Sequence, residues 1–303
     1  MYLSVIICTH NPRIDYFGRT LAALASQTLG HDGWELLIVD NRSELPVAGR
    51  FDFAWRPDVR IMREETLGLT PARLRGIREA RGDVLVFVDD DNVLDPDFLE
   101  VALRVAGGRP WLGAWSGQCR PEFESEPEAW TRRYWGNLAI REFDQDVWSN
   151  LPRLPDTMPC GAGLCARRAV ADEYLRLHDE GARRFQFDRS GTSLLSGGDN
   201  DLAACACTVG LGVGLVSELK LTHIIPANRL TRDYLARLSE GIAFSAAILD
   251  SLWGLASQKK SVVGQLADQI RICRLASHDR HIQRASLRGR KRALSMMATG
   301  EIS

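Results

Sequence analysis

The sequence has very few lysines, no pair of cysteines in CxxC spacing and no apolar run long enough to cross a membrane. A membrane-spanning helix needs about 20 consecutive apolar residues, and no run in this chain approaches that length. The seven cysteines are scattered and odd in number, which argues against a disulfide framework and against a cysteine-based zinc site. We therefore expect reduced thiols in a cytoplasmic protein.

Several familiar motifs are also missing. No Walker loop is present, and the glycines of residues 210–214 lack the spacing of a dinucleotide fingerprint. The formal net charge of -1 gives no reason to expect a nucleic-acid partner. No basic leader precedes the first apolar run, which starts at residue 3, so we expect no signal peptide. The chain has 303 residues, 45% hydrophobic and 25% charged, which suits a soluble protein of one large or two smaller domains.

The sequence does contain an apolar run that ends in three consecutive acids. Residues 84–92 read VLVFVDDDN, so a strand of the buried type leads directly into Asp89, Asp90 and Asp91. In open α/β sheets, ligands bind at the carboxyl ends of the strands. Adjacent carboxylates repel one another unless a cation neutralises them. The triplet therefore predicts a divalent metal at the edge of a sheet.

Strands and helices alternate around this run. Apolar runs at 3–8, 35–39 and 59–62 predict three more strands, and helical spacing predicts helices that begin near Ile14, Pro71 and Asp95. This order predicts a mostly parallel sheet with helices on both faces. The first, second and fourth strands end at Thr9, Asp40 and Asp89, so we expect these residues to meet at one edge.

The second half of the chain is less regular. Residues 120–159 are rich in tryptophan and arginine, and they form either a segment over the site, suited to sugars, or a set of rings that caps the core. Asp199 and Asp201 stand at a predicted helix start, and a strand-like run ends beside His223. From residue 230 the sequence favours helices. Residues 271–292 are strongly basic, which indicates either a solvated face or contact with an anionic membrane.

Six motifs in this order resemble the inverting family 2 glycosyltransferases of GT-A fold. They are SVIICTHN, IVDNRS, LGLTPARLRGIREARGDVLVFVDDDN, GAGLCARR, GGDNDLA and THIIPANR, and they cover roughly residues 3–229. The resemblance implies an α/β, Rossmann-like, mixed and mostly parallel sheet flanked by helices. It implies a glycosyltransferase domain at 1–229, with a nucleotide-sugar half at about 1–110 and an acceptor half at about 111–229, followed by a C-terminal helical extension at 230–303.

The resemblance also implies an activity and its cofactor. A nucleotide-sugar donor, with UDP as the expected carrier, would give its sugar to a hydroxyl of a glycan, lipid-linked or other acceptor in one metal-assisted displacement. Asp89 and Asp91 match the DXD motif that carries Mg²⁺ or Mn²⁺, and His223 matches a histidine that can complete the metal shell. The implied nucleotide and donor contacts are Thr9, Asn11, Asp40, Arg73, Asp90, Gly161 and Arg229.

The general base has two candidates. Family members usually place Glu-Asp where this chain has Gly198-Asp199. The base that takes the proton of the acceptor hydroxyl is therefore either Asp199, which its position favours, or Asp201.

Other classes of enzyme also bind a metal ion through acidic residues. A phosphatase of the haloacid-dehalogenase type would use Asp89 as its nucleophile, but it needs a later lysine and a wider acidic pair than GGDNDLA provides. A nucleotidyltransferase needs a glycine-rich N-terminal loop, whereas residues 9–12 contain no glycine. A non-catalytic binding member of the family would have lost acids that are intact here. The sequence does not identify the donor sugar, the acceptor, the linkage or the oligomeric state.

Overall fold

The computed structural model describes residues 1–183, 185–191, 193–255 and 270–300. The chain separates into two compact units. The first unit comprises Met1–Glu124, Ala139–Arg183 and Gly198–Ile225; the second comprises Ser125–Leu138, Arg184–Gly197 and Pro226–Ser303. The domain boundary at residue 229 stays a prediction.

The first unit is built on one mixed sheet, to which the described residues contribute nine strands. The strands are β1 (Leu3–Thr9), β2 (Trp34–Asp40), β3 (Arg60–Arg63), β4 (Val84–Val88), β5 (Asn92–Leu94), β6 (Leu112–Phe123), β7 (Val147–Ser149), β8 (Leu164–Arg167) and β9 (Gly212–Ile225). Their order is β3-β2-β1-β4-β8-β6-β9-β5, and β7 also pairs with β9. Strands β1 to β4 run parallel, whereas β8, β5 and β7 pair antiparallel with their neighbours. The predicted mixed, mostly parallel sheet is confirmed.

Alternation along β1 explains why helices cover both faces of the sheet. The helices of this unit are α1 (Ile14–Ala25), α2 (Leu69–Glu79), α3 (Phe98–Gly108), α4 (Arg168–Asp179) and α5 (Gly198–Thr208). Because successive strand residues point to opposite faces, Val5 and Ile7 join a buried cluster with residues of α1 and α3. Ile6 points the other way, and its side chain lies against Gly76 of α2.

The irregular segment at 120–159 is divided between the two units. Strand β6 extends as far as Phe123, a strand that the sequence patterns did not predict. A 3-10 helix at Ala129–Leu138 belongs to the second unit, and its Tyr134 is buried there. The tryptophan-rich stretch therefore contributes to the second unit as well as to the sheet.

Two helices, α6 (Arg232–Leu252) and α7 (Ser277–Ala298), form about half of the described part of the second unit. Contacts with a constant sequence offset show that they pack parallel: Asp233 with His281 at 3.7 Å and Glu240 with Arg288 at 2.9 Å. The helices cross closely at Gly289, where a Cβ atom would lie 2.0 Å from the carbonyl oxygen of Glu240. The predicted helical character of the C-terminal region is confirmed for these residues, whereas 256–269 lie outside the described residues. None of the described helices has the length and hydropathy that a membrane span requires.

Candidate active site

The register of the parallel strands brings the predicted polar residues to one edge. Thr9 and Asp40 are direct partners at the ends of β1 and β2, and Val88 pairs with Ile7 at the end of β4. Asp89 to Asp91 follow β4 at the same edge. The Thr9 hydroxyl donates a hydrogen bond to the Asp90 carboxylate, which joins the ends of β1 and β4.

A tight turn holds the acidic triplet. The Asn92 amide nitrogen donates to the Asp89 carbonyl at 3.1 Å, and the Asn92 side chain accepts from the Asp89 amide at 3.3 Å. The Asn92 Nδ2 atom also donates to Asp91 Oδ1 at 3.0 Å. Asn92 is fully buried, and sequence reasoning missed its role. The available signal was the asparagine after the acids, because asparagine favours turns of this kind.

Asp91 faces His223 across neighbouring strands. Their Oδ2 and Nε2 atoms lie 3.3 Å apart, and both side chains are buried. The pairing of Asn92 with His223 in the antiparallel β5–β9 ladder produces this contact. Two of the three predicted metal ligands are thus brought together.

Whether these residues suit a metal depends on the kind of site. Among the described residues, no group of three or more His, Cys, Asp or Glu side chains is arranged so that it could hold a metal ion. Mg²⁺ at nucleotide sites commonly takes one or two carboxylates and fills the rest of its shell with substrate phosphates and water. Asp91 and His223 offer one oxygen and one nitrogen, which fits a site shared with a diphosphate better than a metal cage made of protein alone.

Asp40 is engaged by the loop that follows it. Its Oδ1 accepts from the Ser43 amide at 2.9 Å, and its Oδ2 accepts from the Val47 amide at 3.1 Å. Burial would raise the pKa of Asp40, but hydrogen bonds from Ser43 and Val47, together with the Arg63 charge, outweigh burial and lower the pKa below its ordinary 3.8. The carboxylate therefore stabilises the shape of this edge.

Residues of the two loops at this edge interlock. The Asn11 amide donates to Ser43 Oγ at 2.9 Å, and Asn11 Oδ1 accepts from the Glu44 amide at 2.8 Å. Asn41 is buried, and it accepts from the Gly68 amide at 2.7 Å, which fixes the entry to α2. Asn41 and Ser43 were also missed, although they stand directly after the predicted acid of β2.

Gly161 brings together three of the predicted site residues. A Cβ atom at this glycine would lie 3.0 Å from Arg73 Nη2 and 3.1 Å from Asp199 Oδ2. Arg73 is buried on α2, so it is not the solvated helix residue that its arginine neighbours would suggest. Asn200 donates to the carbonyl of Pro159 at 3.1 Å, which ties the start of α5 to the segment before Gly161.

The two acids of α5 have different surroundings. Asp201 is fully buried, and its Oδ2 accepts from Arg183 Nε at 2.8 Å. Asp199 is partly exposed in the first turn of the helix. The Asp201 carboxylate thus belongs to a buried ion pair, while the Asp199 carboxylate lies next to Gly161.

The antiparallel pairing of β4 with β8 brings the acidic turn and the α5 acid to the same region: Phe87 pairs with Leu164, so Gly161, which lies beside Asp199 and three residues before β8, stands near the end of β4. Burial raises the pKa of Cys119, and the charges of Cys160, Asp91 and Asp89 raise it further. Burial also raises the pKa of Cys160, which lies close enough to sense the charges of Arg141 and Asp199. The structure therefore brings together Thr9, Asp40 and the acidic turn at one end of this group and Arg73, Gly161 and Asp199 at the other. Arg229 lies in a 3-10 turn of the second unit.

The mostly parallel sheet flanked by helices is the fold of a GT-A type glycosyltransferase. Residues 4–164, slightly more than half of the chain, match the model of Glycosyl transferase family 2. The chain belongs to this family.

Curated relatives match part of the chain. The glucosyl-dolichyl phosphate glucuronosyltransferase of Haloferax volcanii is 29% identical over 140 residues, 45% of this chain and 44% of that protein. The putative glycosyltransferase EpsH of Bacillus subtilis is 31% identical over 107 residues, 35% of this chain and 30% of EpsH. The matched regions therefore span less than half the length of these relatives.

Solved structures of S. aureus TarS share the fold over most of the chain. TarS 1–349 in complex with UDP-GlcNAc gives a TM-score of 0.52 at 14% identity and covers 99% of this chain and 92% of that chain. A longer TarS chain gives 0.51 at 16% identity and covers 90% of this chain and 42% of that one. This likeness confirms the predicted GT-A type fold.

The environment of Asp40 predicts a pH-dependent contribution to stability. In Asp40→Asn, an amide group replaces one of two accepting oxygens, so a buried backbone N–H loses its partner at a cost of about 1–3 kcal/mol. Because the folded-state pKa is lowered, the ionised carboxylate stabilises the fold above the unfolded-state pKa of about 3.9, and this contribution is lost as pH falls through the lower folded-state value. Urea unfolding at pH 7 should show the full difference between the parent and Asp40→Asn, and the difference should shrink below about pH 4.

The matched control is Asp32→Asn, at an exposed aspartate of the first unit. This variant should unfold at the same urea concentration as the parent at both pH values. Equal stability of Asp40→Asn and the parent at pH 7 would contradict the role given to Asp40.

Proposed function

We propose that this chain transfers a sugar from a nucleotide-sugar donor to an acceptor hydroxyl with inversion of configuration, and that UDP is the carrier. The observation that carries the proposal is the convergence of Arg73 and Asp199 on Gly161, in the segment before β8 that the β4–β8 pairing brings to the end of β4, where the acidic turn begins. A cation-binding edge, a guanidinium and a carboxylate are the groups that such a displacement needs for its leaving group and its attacking hydroxyl. TarS, which shares the fold, was solved with UDP and with UDP-GlcNAc, which supports UDP as the carrier.

Asp199 is the proposed general base. Its carboxylate is partly exposed beside a glycine that has no side chain to obstruct an incoming sugar. Asp201 is held by Arg183 and has no exposed surface, so it could receive a proton only if the ion pair broke. The burial of Asp201 therefore supports Asp199 as the group that removes the proton of the acceptor hydroxyl.

The leaving diphosphate needs positive charge around it. Asp91 and His223, with Asp89 beside them on the same turn, would hold Mg²⁺ or Mn²⁺, and the cation would supply charge that neutralises the diphosphate. Arg73 lies beside Gly161 and offers a buried guanidinium to the donor. Thr9, Asn11, Asp40 and Asp90 complete the proposed nucleotide and donor contacts in the first unit, and a donor contact by Arg229 stays a prediction from the sequence.

The proposed chemistry predicts that release of UDP depends on a divalent cation. A panel of UDP-sugars incubated with the chain should release UDP with Mn²⁺ or Mg²⁺ present. EDTA should lower the rate by about a hundredfold or more, since neutralising the leaving group is worth several kcal/mol. Asp91→Asn, at the residue before β5, should lower the rate similarly, and Asp97→Asn, at an exposed acid after β5, should not.

Full activity in EDTA would contradict the metal dependence. Release of inorganic phosphate from a phosphate ester, with no UDP released from any donor, would favour the alternative phosphatase activity. Pyrophosphate release from a nucleoside triphosphate would favour a nucleotidyltransferase.

The assignment of the base predicts opposite behaviour for the two acids of α5. Asp199→Asn should lower the turnover number by about 10²–10⁴ while the affinity for the UDP-sugar, measured by calorimetry, stays within a few-fold of the parent. Asp201→Asn leaves Arg183 buried without its counter-ion, so it should lower the free energy of unfolding by about 3–5 kcal/mol. If Asp201→Asn abolishes turnover with unchanged stability and Asp199→Asn does not, the base is Asp201.

We further propose that the acceptor is a glycan or a lipid-linked glycan and that the basic face of α7 contacts an anionic membrane surface. Arg284, Arg288 and Lys291 are exposed at helical spacing on α7. The acid in the first turn of this helix, Asp279, is buried and engaged by Arg133. The exposed face of α7 is therefore strongly positive, although the chain as a whole carries a net charge of -1.

Binding to lipid vesicles tests this contact. Vesicles that contain anionic phosphatidylglycerol should sediment the chain at low salt, whereas vesicles of phosphatidylcholine alone should not. Arg284→Glu/Lys291→Glu should weaken the binding by about tenfold or more, since each basic residue contributes about 1 kcal/mol. The control Arg284→Lys/Lys291→Arg keeps the charge and should bind like the parent. Equal binding of the charge-reversed variant would refute the contact.

A further inference from the structure

The second unit contains a cavity that the proposed transfer chemistry does not use. It has a volume of about 380 Å³, within the range of small-molecule sites. The 3-10 helix at Ala129–Leu138 contributes Trp130, and the first turns of α6 and α7 contribute the facing wall. The lining residues on which the argument depends are Glu128, Trp130, Arg232, Asp233 and His278.

The tryptophan in this cavity is held in one orientation. The His278 ring stacks on Trp130, with ring centroids 4.7 Å apart and an interplanar angle of 28°. Tyr134 contacts the Trp130 ring in an edge-on arrangement at 6.3 Å, and its hydroxyl donates to Asp279 at 2.7 Å. Burial raises the pKa of Tyr134, so this hydroxyl keeps its proton. The His278 ring covers one face of the indole, and the fixed ring offers its remaining apolar surface at little cost in side-chain entropy.

The polar groups of the cavity have balanced charges. Glu128 and Asp233 are negative and Arg232 is positive, with Arg232 and Asp233 3.5 Å apart. The N-terminal ends of two parallel helices add partial positive charges of about one half each. These charges nearly cancel, so the cavity has no electrostatic preference for a polyanion or for a cation. The carboxylates accept hydrogen bonds and the guanidinium donates them. Hydroxyl groups on a ligand can pair with both, because a hydroxyl both donates and accepts.

We propose that this cavity binds a neutral sugar residue of the acceptor glycan. The proposal rests on the proposed function, which requires an acceptor with hydroxyl groups. A flat indole matches the apolar face of a sugar ring, and the surrounding carboxylates and guanidinium match its hydroxyls.

Direct binding of oligosaccharides to the whole chain, without donor, tests the subsite. The probes are the neutral tetrasaccharides maltotetraose, cellotetraose and chitotetraose, with tetragalacturonic acid as the charged counterpart, and the readouts are saturation-transfer NMR and calorimetry. We expect at least one neutral tetrasaccharide to bind more tightly than tetragalacturonic acid. Trp130→Ala should weaken this binding about tenfold or more, and Arg232→Gln, an exposed substitution, should weaken it several-fold.

Trp148→Ala is the matched control, because Trp148 is an exposed tryptophan of the first unit and does not line the cavity. This variant should bind like the parent. The subsite is refuted if no neutral tetrasaccharide binds, if tetragalacturonic acid binds most tightly, or if Trp130→Ala and Arg232→Gln both bind like the parent. A parent chain that binds a tetrasaccharide but releases UDP from no donor would contradict the proposed function and leave the subsite standing. A parent chain that releases UDP but binds no tetrasaccharide would refute the subsite and leave the proposed function standing.

Discussion

Three consecutive carboxylates at the end of a buried strand repel one another, and the geometry of the site depends on how the fold separates them. Asp90 turns toward β1, where Thr9 donates to it, and Asp91 turns toward β9, where it meets His223. Asn92 holds the turn from within, since it bonds the backbone at Asp89 and the side chain of Asp91. The carboxylates of Asp90 and Asp91 thus point in different directions, which reduces their mutual repulsion. The turn still concentrates negative charge at one edge of the sheet. The proposed cation would relieve this charge when a diphosphate is present.

A second constraint is the close packing around Gly161. Arg73 and Asp199 both approach the same glycine, and a Cβ atom at Gly161 would be in tight contact with both side chains, 3.0 Å from Arg73 Nη2 and 3.1 Å from Asp199 Oδ2. Because glycine has no side chain, the space between the Arg73 and Asp199 side chains stays open at this position. Of the two acids in the first turn of α5, Asp201 is the fully buried one, and its charge is paired with that of Arg183. That ion pair leaves Asp199 as the partly exposed carboxylate of the helix start, which is the condition that a general base must meet.

Much of this arrangement could be predicted from the sequence, because strand periodicity and the carboxyl-edge rule depend on local patterns. They predicted that Thr9, Asp40 and Asp89 would meet, and the register of β1, β2 and β4 agrees. Other features depend on contacts between distant residues and leave no local pattern. The side chains of Asn41 and Asn92 accept hydrogen bonds from backbone amides, and an asparagine after an acid looks like an ordinary turn residue in a sequence. Strand β6 was missed for a similar reason, since its residues pair on two sides and lack a clean alternation.

The second unit also contains contacts between distant residues that the sequence alone does not predict. Trp130 and His278 stack although they are far apart in the chain, so neither residue alone predicts a binding surface. Helix α7 also separates two kinds of surface along its length. Its first turn lines a cavity whose charges nearly cancel, whereas Arg284, Arg288 and Lys291 make its exposed face positive. Salt screens exposed charges over about 8–10 Å at moderate ionic strength, but it has little effect on the packing of a sugar against an indole. The two proposed contacts should therefore respond differently to salt: ionic strength weakens the attraction of α7 to an anionic surface and leaves the neutral cavity almost unaffected.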